Sequence, residues 1–478
     1  MPLILGTNSI KDTGYDVANS LRFNSGSSDN LSRSPSGASN RKTFTLSWWV
    51  KRSKLGSRQS IFNNTDGSGQ DGVYFDFYAD DTLALFDYGT GSYGTPRFET
   101  TQVFRDVSSW YHIIYAVDTT QSTESNRVKI YVNGSQVTDF DVANYPSQNA
   151  DTLWNRSDTI YIGTYTAGGN YFGGYLAEVV NIDGSQLAPT DFGEFDSDSP
   201  TIWKPIDVSG LTFGTNGFYL DFENASSLGA DVSGNSNNFT VNNLTSVDQS
   251  TDTCTNNFAT MNSLAVPPSN APTFAEGNTK VSTNNSNANP VLSTIGVSQG
   301  KWYVECKRIS FDSGSADDGF RIGLGVTYVQ NVNLVPAAIA DSGHYFMIGT
   351  GTVYNGSTDL GDKAGDSNIS DNGVVGIALD LDNNRISWSF NGAWMTGSNA
   401  WSGSSPSSYV TIESGKTYFF LQTDGSTGRG YTAGWNFGGT SAFAISSGNT
   451  DANGFGNFET APPSGYFSLC SSNLAEFG

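Results

Sequence analysis

The amino-acid sequence predicts an all-β chain that contains two β-sandwiches, or jelly rolls, in tandem. Short apolar runs of alternating pattern recur roughly every 8 to 15 residues between turns rich in Gly, Asn, Asp and Ser, as in sandwich proteins. Hardly any stretch has the periodicity of an amphipathic helix. One arrangement of strands and turns occurs twice, far apart in the chain. Together these observations favour two similar all-β domains.

Composition supports this class and excludes others. The chain has 478 residues, of which 54 are Gly, 13% are aromatic and 15% are charged. The length is too great for one ordinary core, and the aromatic content argues against disorder. With 24 basic and 46 acidic residues, the net charge is −22. Because nucleic-acid binding depends on a basic surface, we expect no nucleic-acid partner.

The targeting signals and the cysteines constrain the location of the chain and its disulfides, but not its function. No apolar run of 18 residues occurs, so we expect no membrane insertion. The N-terminus lacks the basic start and apolar core of a signal peptide, so we expect the chain to be made and folded in a cytoplasm. Cys254, Cys306 and Cys470 are widely spaced. They are either three unpaired thiols or one disulfide and one free thiol.

The strand segments fall into two series with a polar, Pro-bearing stretch between them. We expect an N-terminal arm at 1–18 for docking to a larger assembly, a sandwich at 19–200, capping strands and a connector at 201–275, and a second sandwich with its tail at 276–478. The first series is FTLSWWVKR, SIFNN, VYFDFYA, LALFDYG, WYHIIYAVD, VKIYVNG, TIYIGTY and YLAEVVNID, and the second is KWYVECKRIS, FRIGLGVTYV, YFMIGTG, VVGIALDLD, RISWSFNG, YFFLQT and AGWNFG.

The repeated arrangement is a hairpin that ends in Asn-Gly. It reads RVKIYVNGSQV at 127–137 and RISWSFNGAWM at 385–395. In both copies an apolar strand and an Asp-containing turn come first. Asn-Gly closes a tight hairpin because both residues tolerate positive φ. The recurrence of the preceding strand and turn favours one architecture in both halves.

The first half resembles laminin-G-like, concanavalin A-type lectin domains over residues 20–184. These domains pair a strand ending in Ser-x-Trp-Val with a Trp-x-His strand, a Tyr-x-Asn-Gly hairpin and a Phe-x-Gly before the last strand. The resemblance implies two packed β-sheets and a lectin-like role. The matching residues are Ser47, Trp49, Val50, Trp110, His112, Tyr131, Asn133, Gly134, Phe172 and Gly174.

The second half, 276–445, resembles a SPRY domain, which is also a concanavalin A-like sandwich. The blocks that match are GKWYVECKRIS, FRIGLGV, GVVGIALDLDNNRISWSFNGAWM and YFFLQTDGSTGRGYTAGWNFG. The pairing of the two modules, the connector DTCTNNFATMNSL and the tail are similar to virion proteins of tailed bacteriophages, marine ones especially.

That resemblance implies a non-enzymatic virion protein, a tail fibre, spike or adhesin, that attaches to the host surface by binding a glycan. The alternative is a capsid- or tail-surface decoration protein with a purely structural role. The implied partners are other virion proteins and a host glycan or protein, in a homo-oligomer with a trimer favoured.

Catalysis finds little support in the sequence, and we expect neither enzymatic activity nor a cofactor. His112 lies within a strand, where a structural role is expected, and His344 follows a turn and is expected at the surface or rim. The Glu-x-Asp-x-x-Glu type of spacing found in sandwich glycosidases is absent. Acidic turns at 64–72 and 311–319 could bind Ca²⁺, although Asp and Ser are also common turn formers.

Two loops are candidate ligand sites, because aromatic faces and Asn side chains bind sugars. The first choice is 391–406, with Asn391, Trp394 and Trp401 in a Gly/Ser context. The alternative for both loops is packing against a neighbouring subunit or domain. The second choice, 165–174, offers Tyr165, Asn170 and Tyr171, whereas the alternating segments around Trp49, Trp110, Trp302 and Trp388 predict core positions.

Overall fold

The computed structural model divides into two compact units, Thr13–Thr255 and Asn256–Gly478. The boundary lies within the segment 201–275 that was expected to connect the sandwiches. The all-β prediction is confirmed, since the regular structure of the described residues consists of 34 strands, one short α-helix, Ser471–Phe477, and a few 3₁₀ turns. The structure describes residues 13–166, 168–266, 271–283, 290–311, 319–326, 343–363, 369–396, 400–424 and 430–478.

The first unit contains two eight-stranded sheets and a two-stranded ribbon. Sheet 1 has the order β10-β9-β8-β3-β13-β1-β18, with β16 paired to β13, and sheet 2 has the order β11-β7-β6-β5-β4-β12-β2-β17. Sheet 1 consists of β1 Ser20–Phe23, β3 Thr43–Arg52, β8 Tyr111–Asp118, β9 Val128–Val132, β10 Ser135–Gln136, β13 Gly174–Asp183, β16 Phe218–Leu220 and β18 Gln249–Ser250. Sheet 2 consists of β2 Asn30–Arg33, β4 Gln59–Thr65, β5 Gly72–Phe77, β6 Thr82–Gly89, β7 Ser92–Val103, β11 Phe140–Asn144, β12 Thr159–Ile162 and β17 Thr240–Asn242. The ribbon is β14 Gly193–Phe195 and β15 Trp203–Pro205.

The core of the first unit lies between these two sheets. Trp48 of β3 packs edge-on against Phe62 of β4 and Phe75 of β5, with ring centroids 5.0 and 6.1 Å apart. All three side chains are buried in one apolar cluster to which both sheets contribute. Because strand side chains alternate between faces, the neighbouring Trp49 points to the other side of sheet 1.

The outer face of sheet 1 is also buried. Trp49 and Tyr175 pack there against Trp203 of the ribbon. Further along, Ile114 and Val180 pack against a second apolar cluster from the segment that follows β13. Both faces of sheet 1 therefore carry buried apolar clusters formed within the first unit.

The second unit contains a ten-stranded and a six-stranded sheet. Sheet 3 has the order β19-β20-β33-β22-β27-β28-β29-β30, with β31 paired to β28 and β34 to β22; sheet 4 has the order β21-β32-β23-β24-β25-β26. Sheet 3 consists of β19 Thr273–Ala275, β20 Lys280–Ser282, β22 Lys301–Phe311, β27 Val374–Asp380, β28 Arg385–Phe390, β29 Ala393–Met395, β30 Trp401–Gly403, β31 Val410–Thr411, β33 Tyr431–Asn436 and β34 Phe467–Ser468. Sheet 4 consists of β21 Val291–Leu292, β23 Arg321–Gly325, β24 Tyr345–Ile348, β25 Thr352–Asn355, β26 Thr358–Asp362 and β32 Phe419–Thr423.

The core of this unit again lies between its two sheets. Trp302 of β22 and Trp388 of β28 belong to the same buried cluster as Ile322 of β23 and Phe420 of β32. The core positions predicted for Trp49, Trp110, Trp302 and Trp388 are therefore confirmed, although Trp49 and Trp110 lie on the outer face of sheet 1.

The two Asn-Gly hairpins have the same geometry in the two units. Asn133 and Asn391 have φ of 47° in both cases, and the following glycines have φ of 76° and 81°. Asn133 N–H donates to the carbonyl of His112 at 2.9 Å, and its Oδ1 accepts from His112 N–H at 2.8 Å. Asn391 makes the same pair of bonds with Val374, at 2.7 and 2.9 Å. The repeated hairpin predicted from the sequence is confirmed.

All three cysteines are free thiols, which settles the choice left open by their spacing. Cys306 and Cys470 are buried and Cys254 is half-buried. Within the described part of the chain, no helix has the length and apolar character needed to span a membrane.

Candidate functional site

Sheet 1 has a buried polar centre on its outer face, around His112. Trp203 Nε1 donates to His112 Nδ1 at 2.9 Å, so the proton of the neutral ring lies on Nε2, which donates to Ser47 Oγ at 2.8 Å. The imidazole stacks on Trp49 at 4.6 Å and 11°. Burial lowers the pKa of His112 to about 3. The ring therefore stays neutral and fully engaged, and the structural role predicted for His112 is confirmed.

The outer face of sheet 2 carries a continuous group of aromatic side chains. In register across the strands, Tyr74 lies opposite Phe86, and Tyr88 lies opposite Tyr93. Tyr165 stacks on Tyr74 with centroids 4.9 Å apart and planes at 19°. We call the set Tyr74, Tyr78, Phe86, Tyr88, Tyr93 and Tyr165 the tyrosine face.

Arg58 lies over the centre of the tyrosine face. Its guanidinium carbon is 5.1 Å from the ring centroid of Tyr165, 5.7 Å from that of Tyr78 and 5.8 Å from that of Phe86. Nε and Nη2 both donate to Oδ2 of the buried Asp76, at 2.7 and 2.5 Å. Burial raises the pKa of Asp76, and the charge of Arg58 partly offsets that rise. The ion pair fixes the arginine in position against the rings.

Tyr93 is the exposed edge of the tyrosine face. Its side chain is 47% exposed, which is unusual for an aromatic residue in a strand pair. The guanidinium of Arg97 lies 3.8 Å from its ring centroid and also donates to Glu99 at 2.7 Å. Tyr78 and Tyr93 hydroxyls lie 3.4 Å apart. The region thus combines exposed ring surface with hydroxyl, guanidinium and carboxylate groups, which is the chemistry that binds the apolar face and the hydroxyls of a sugar.

The structure places the residues predicted in loop 165–174 at one border of this face. Tyr165 is half-buried, and its hydroxyl donates to the carbonyl of Gly69 at 3.0 Å. Asn170 is exposed with φ of 44°, and its carbonyl accepts from Ser60 N–H at 2.8 Å. Tyr171 is half-buried and bridges to Ser60. Tyr165 therefore joins the aromatic group, whereas Asn170 and Tyr171 hold the loop to β4. Ala167 lies outside the described residues.

The predicted loop 391–406 is more buried than expected and contains two short strands. Trp394 was expected to be an exposed loop residue, and this expectation is wrong, because its side chain is only 2% exposed. It belongs to β29 and packs with Tyr303 and Phe458 on sheet 3. Trp401 is half-buried in β30, with its ring 6.0 Å from that of Phe390. Asn391 is exposed at the hairpin turn, and residues 397–399 lie outside the described part of the chain.

In the acidic turn at 64–72, the carboxylate of Asp66 accepts hydrogen bonds from within the turn. Asp66 Oδ1 accepts from Ser68 N–H at 2.9 Å and from Ser68 Oγ at 2.6 Å, and these bonds lower the pKa of Asp66. Among the residues that the structure describes, no three His, Cys, Asp or Glu side chains lie close enough to hold a metal ion. Of the second predicted turn, 312–318 lie outside the described residues.

Two further titratable side chains occupy unexpected places. His344 was expected at the surface, and this is wrong, because it is 4% exposed beside β24. Glu305 of β22 is completely buried, and its oxygens accept from the backbone N–H groups of Thr460 and Glu459 at 2.7 and 2.9 Å. Burial raises the pKa of Glu305 to about 7, and the Thr460 and Glu459 N–H groups act in the opposite direction.

Several solved structures are distantly similar to parts of this chain. They include the SPRY domain of human HERC1 (12% identity, 37% of this chain and 96% of that chain, TM-score 0.28), a heptameric SAP-like pentraxin from Limulus polyphemus (17%, 36% and 80%, 0.27) and domain 4 of a Geobacillus stearothermophilus GH43 arabinanase in complex with arabinotriose (19%, 32% and 67%, 0.25). No curated protein matches the chain.

A sequence-family profile gives a firmer result for the first unit. Residues 25–185 match the Laminin_G_3 family, described as the concanavalin A-like lectin/glucanases superfamily. The match covers about a third of the chain and includes most of both sheets of the first unit. The segment 25–185 is therefore a concanavalin A-like domain.

Proposed function

We propose that the protein is a non-enzymatic glycan-binding protein whose first unit binds saccharide on the tyrosine face. The observation that carries this proposal is the exposed ring of Tyr93 beside Arg97, on the sheet face that the ribbon does not cover. Ring surface of this kind packs against the C–H face of a pyranose, while guanidinium and hydroxyl groups bind sugar oxygens. The lectin-type family matched by residues 25–185 supports the same class of ligand.

Glycoside hydrolysis would require two accessible carboxylates across a cleft. Glu305 has the raised pKa of a general acid, but its side chain has no exposure. Its oxygens accept from Tyr303, Asn436 and two backbone N–H groups within the unit. On the tyrosine face, Asp76 is buried and paired with Arg58. Both carboxylates thus have structural partners, which favours binding over catalysis.

The test of saccharide binding is a glycan array probed with the intact chain and two variants. Tyr93→Ala removes the exposed ring, and Phe195→Ala removes a similarly exposed ring from the ribbon and serves as the matched control. A lost stacking contact of about 1–1.5 kcal/mol corresponds to roughly tenfold weaker binding. We expect that loss for Tyr93→Ala and unchanged binding for Phe195→Ala. Equal binding by Tyr93→Ala and the wild type would contradict the proposal.

We further propose that the chain is a component of a tailed-phage virion, as a tail fibre, spike or adhesin that attaches to host-surface glycans. The support is the sequence similarity of its two modules, connector and tail to such proteins. A homo-oligomer, with a trimer favoured, would present several weak sites together and raise avidity by about 10²–10⁴. The alternative is a capsid- or tail-surface decoration protein whose rim loops contact other virion proteins.

Virion assembly can be tested by deletion at the N-terminus. Within the predicted arm, Val17 is buried beside Trp49 and Trp110, so residues 13–18 serve the fold of the first unit. Deletion of 1–12 is therefore the cleaner variant. We expect purified particles to lack this variant while the wild type is incorporated, as measured by mass spectrometry of particles. Normal incorporation would exclude the arm as the docking element.

A further inference from the structure

A polar cleft of about 280 Å³ opens on the second unit beside the Asn-Gly turn. Its volume suits a single sugar residue better than a longer ligand. Five segments form it: β22, the turn before β27, the Asn-Gly turn, and the segments around residues 443 and 459. The lining residues are Lys307, Asn372, Val374, Asn391, Phe443, Ala444, Glu459 and Thr460.

The cleft presents hydrogen-bond donors that the fold does not use. The Lys307 ammonium makes no hydrogen bond or ion pair within 4 Å in the described part of the chain, and it lies 5.5 Å from the centre of the Phe443 ring. Asn391 uses Oδ1 to accept from Val374 N–H, which directs its Nδ2 donor away from that bond. The side-chain amide of Asn372 likewise has no partner among the described residues.

Glu459, the acidic residue of the cleft, already accepts hydrogen bonds from another segment of the second unit. Glu459 accepts from Ser446 N–H at 2.6 Å and from Ser446 Oγ at 2.5 Å, and these bonds lower its pKa. Glu459 therefore stays charged beside Lys307, and the two charges offset each other. The wall that carries Glu459 and Thr460 is held by the buried carboxylate of Glu305, so the cleft is a built feature rather than a gap between mobile side chains.

We propose that this cleft is a second saccharide site, which takes one neutral sugar residue. Lys307 and Asn391 donate to hydroxyl oxygens, and the exposed part of the Phe443 ring packs against the C–H face of the sugar. A neutral sugar fits better than a charged one, because the charges of Lys307 and Glu459 offset each other within the cleft. The site is independent of the tyrosine face, which belongs to the first unit.

The test uses the intact chain and the methyl glycosides of glucose, galactose, mannose and N-acetylglucosamine, with methyl glucuronide as the acidic comparison, titrated one at a time by saturation-transfer NMR. Lys307→Gln removes the charged donor and Phe443→Ala removes the ring. Lys416→Gln is the matched control, because Lys416 is an exposed lysine of the same unit outside the cleft. Circular dichroism spectra verify that each variant is folded.

We expect at least one neutral glycoside to bind the wild type and Lys416→Gln alike, with a Kd raised at least tenfold by Lys307→Gln and by Phe443→Ala. Tyr93→Ala should leave this binding unchanged, which separates the cleft from the tyrosine face. Three results would overturn the proposal: no binding of any neutral glycoside, binding that neither cleft variant weakens, or a response confined to methyl glucuronide.

Discussion

Asn133 and Asn391 perform the same task in the two units, because each combines a left-handed backbone with an Oδ1 that accepts a strand N–H. Replacement by Ala places a Cβ-bearing residue without a local hydrogen bond at positive φ and leaves the N–H of His112 or Val374 unpaired. We expect Asn133→Ala and Asn391→Ala each to lower the free energy of unfolding by about 1–3 kcal/mol.

The matched controls for these turns are Asn133→Asp and Asn391→Asp, which keep an acceptor oxygen. Urea denaturation followed by tryptophan fluorescence measures all four variants. The Asp variants should lie closer to the wild type than the Ala variants do. Equal losses for Asp and Ala would show that the Oδ1 bond contributes nothing.

His112 makes the stability of the first unit sensitive to acid. Its pKa is lowered to about 3 in the folded state by burial, against about 6.5 when unfolded. The unfolded chain therefore binds the proton first, and stability falls as the pH decreases from 6.5 towards 3. Between pH 7 and pH 4 the wild type should lose roughly 3 kcal/mol more than His112→Gln, as measured by urea unfolding. Parallel pH profiles for the two proteins would contradict this account.

At the scale of elements, β22 is the strand that organises the second unit, because its Glu305 holds the segment at 459–460. The pKa of Glu305 is raised by burial to about 7, above the unfolded value of about 4.5. The folded state thus binds this proton more tightly, so the contribution to stability is present at low pH and is lost as the pH rises from about 4.5 through 7.

The corresponding measurement is the free energy of unfolding at pH 5 and pH 8 for the wild type and Glu305→Gln. The glutamine cannot ionise, so the wild type should lose about 2 kcal/mol more than the variant over this interval. A wild-type profile no steeper than that of the variant would indicate that Glu305 keeps an ordinary pKa.

The strands also explain which parts of the site could be predicted from sequence. The Asn-Gly hairpins depend on local residues, and the pattern identified both. Trp394 was misplaced because the strand alternation resumes in β29 directly after the turn, which sends this side chain into the protein. In VYFDFY both faces of β5 carry aromatic residues, so periodicity alone could not separate the core residue Phe75 from Tyr74 of the tyrosine face.

Other features depend on contacts distant in sequence. The ribbon covers sheet 1 by placing Trp203 on His112, 91 residues away, and no local pattern signals this contact. The ion pair that positions Arg58 on the tyrosine face depends on the pairing of β4 with β5. The sequence signal that could have located the face is the Tyr that precedes an Arg in SYGTPRFE, directly after the aromatic strand LALFDYG.

At the scale of the whole molecule, each unit has its own core cluster between two sheets, and the two clusters share no residue. Fragments 13–255 and 256–478 should therefore each fold alone, with a β-type circular dichroism spectrum and a cooperative thermal transition. A fragment that shows neither feature would indicate that its fold depends on the rest of the chain.

The central claim is that the outer face of sheet 2 binds saccharide through the tyrosine face. The most direct measurement is a crystal structure of the intact chain with an oligosaccharide selected by the glycan array. The account predicts a sugar ring on Tyr93, with its hydroxyls within hydrogen-bond distance of Arg97 or Glu99. A tyrosine face without saccharide, in crystals that bind the ligand elsewhere on the first unit, would contradict it.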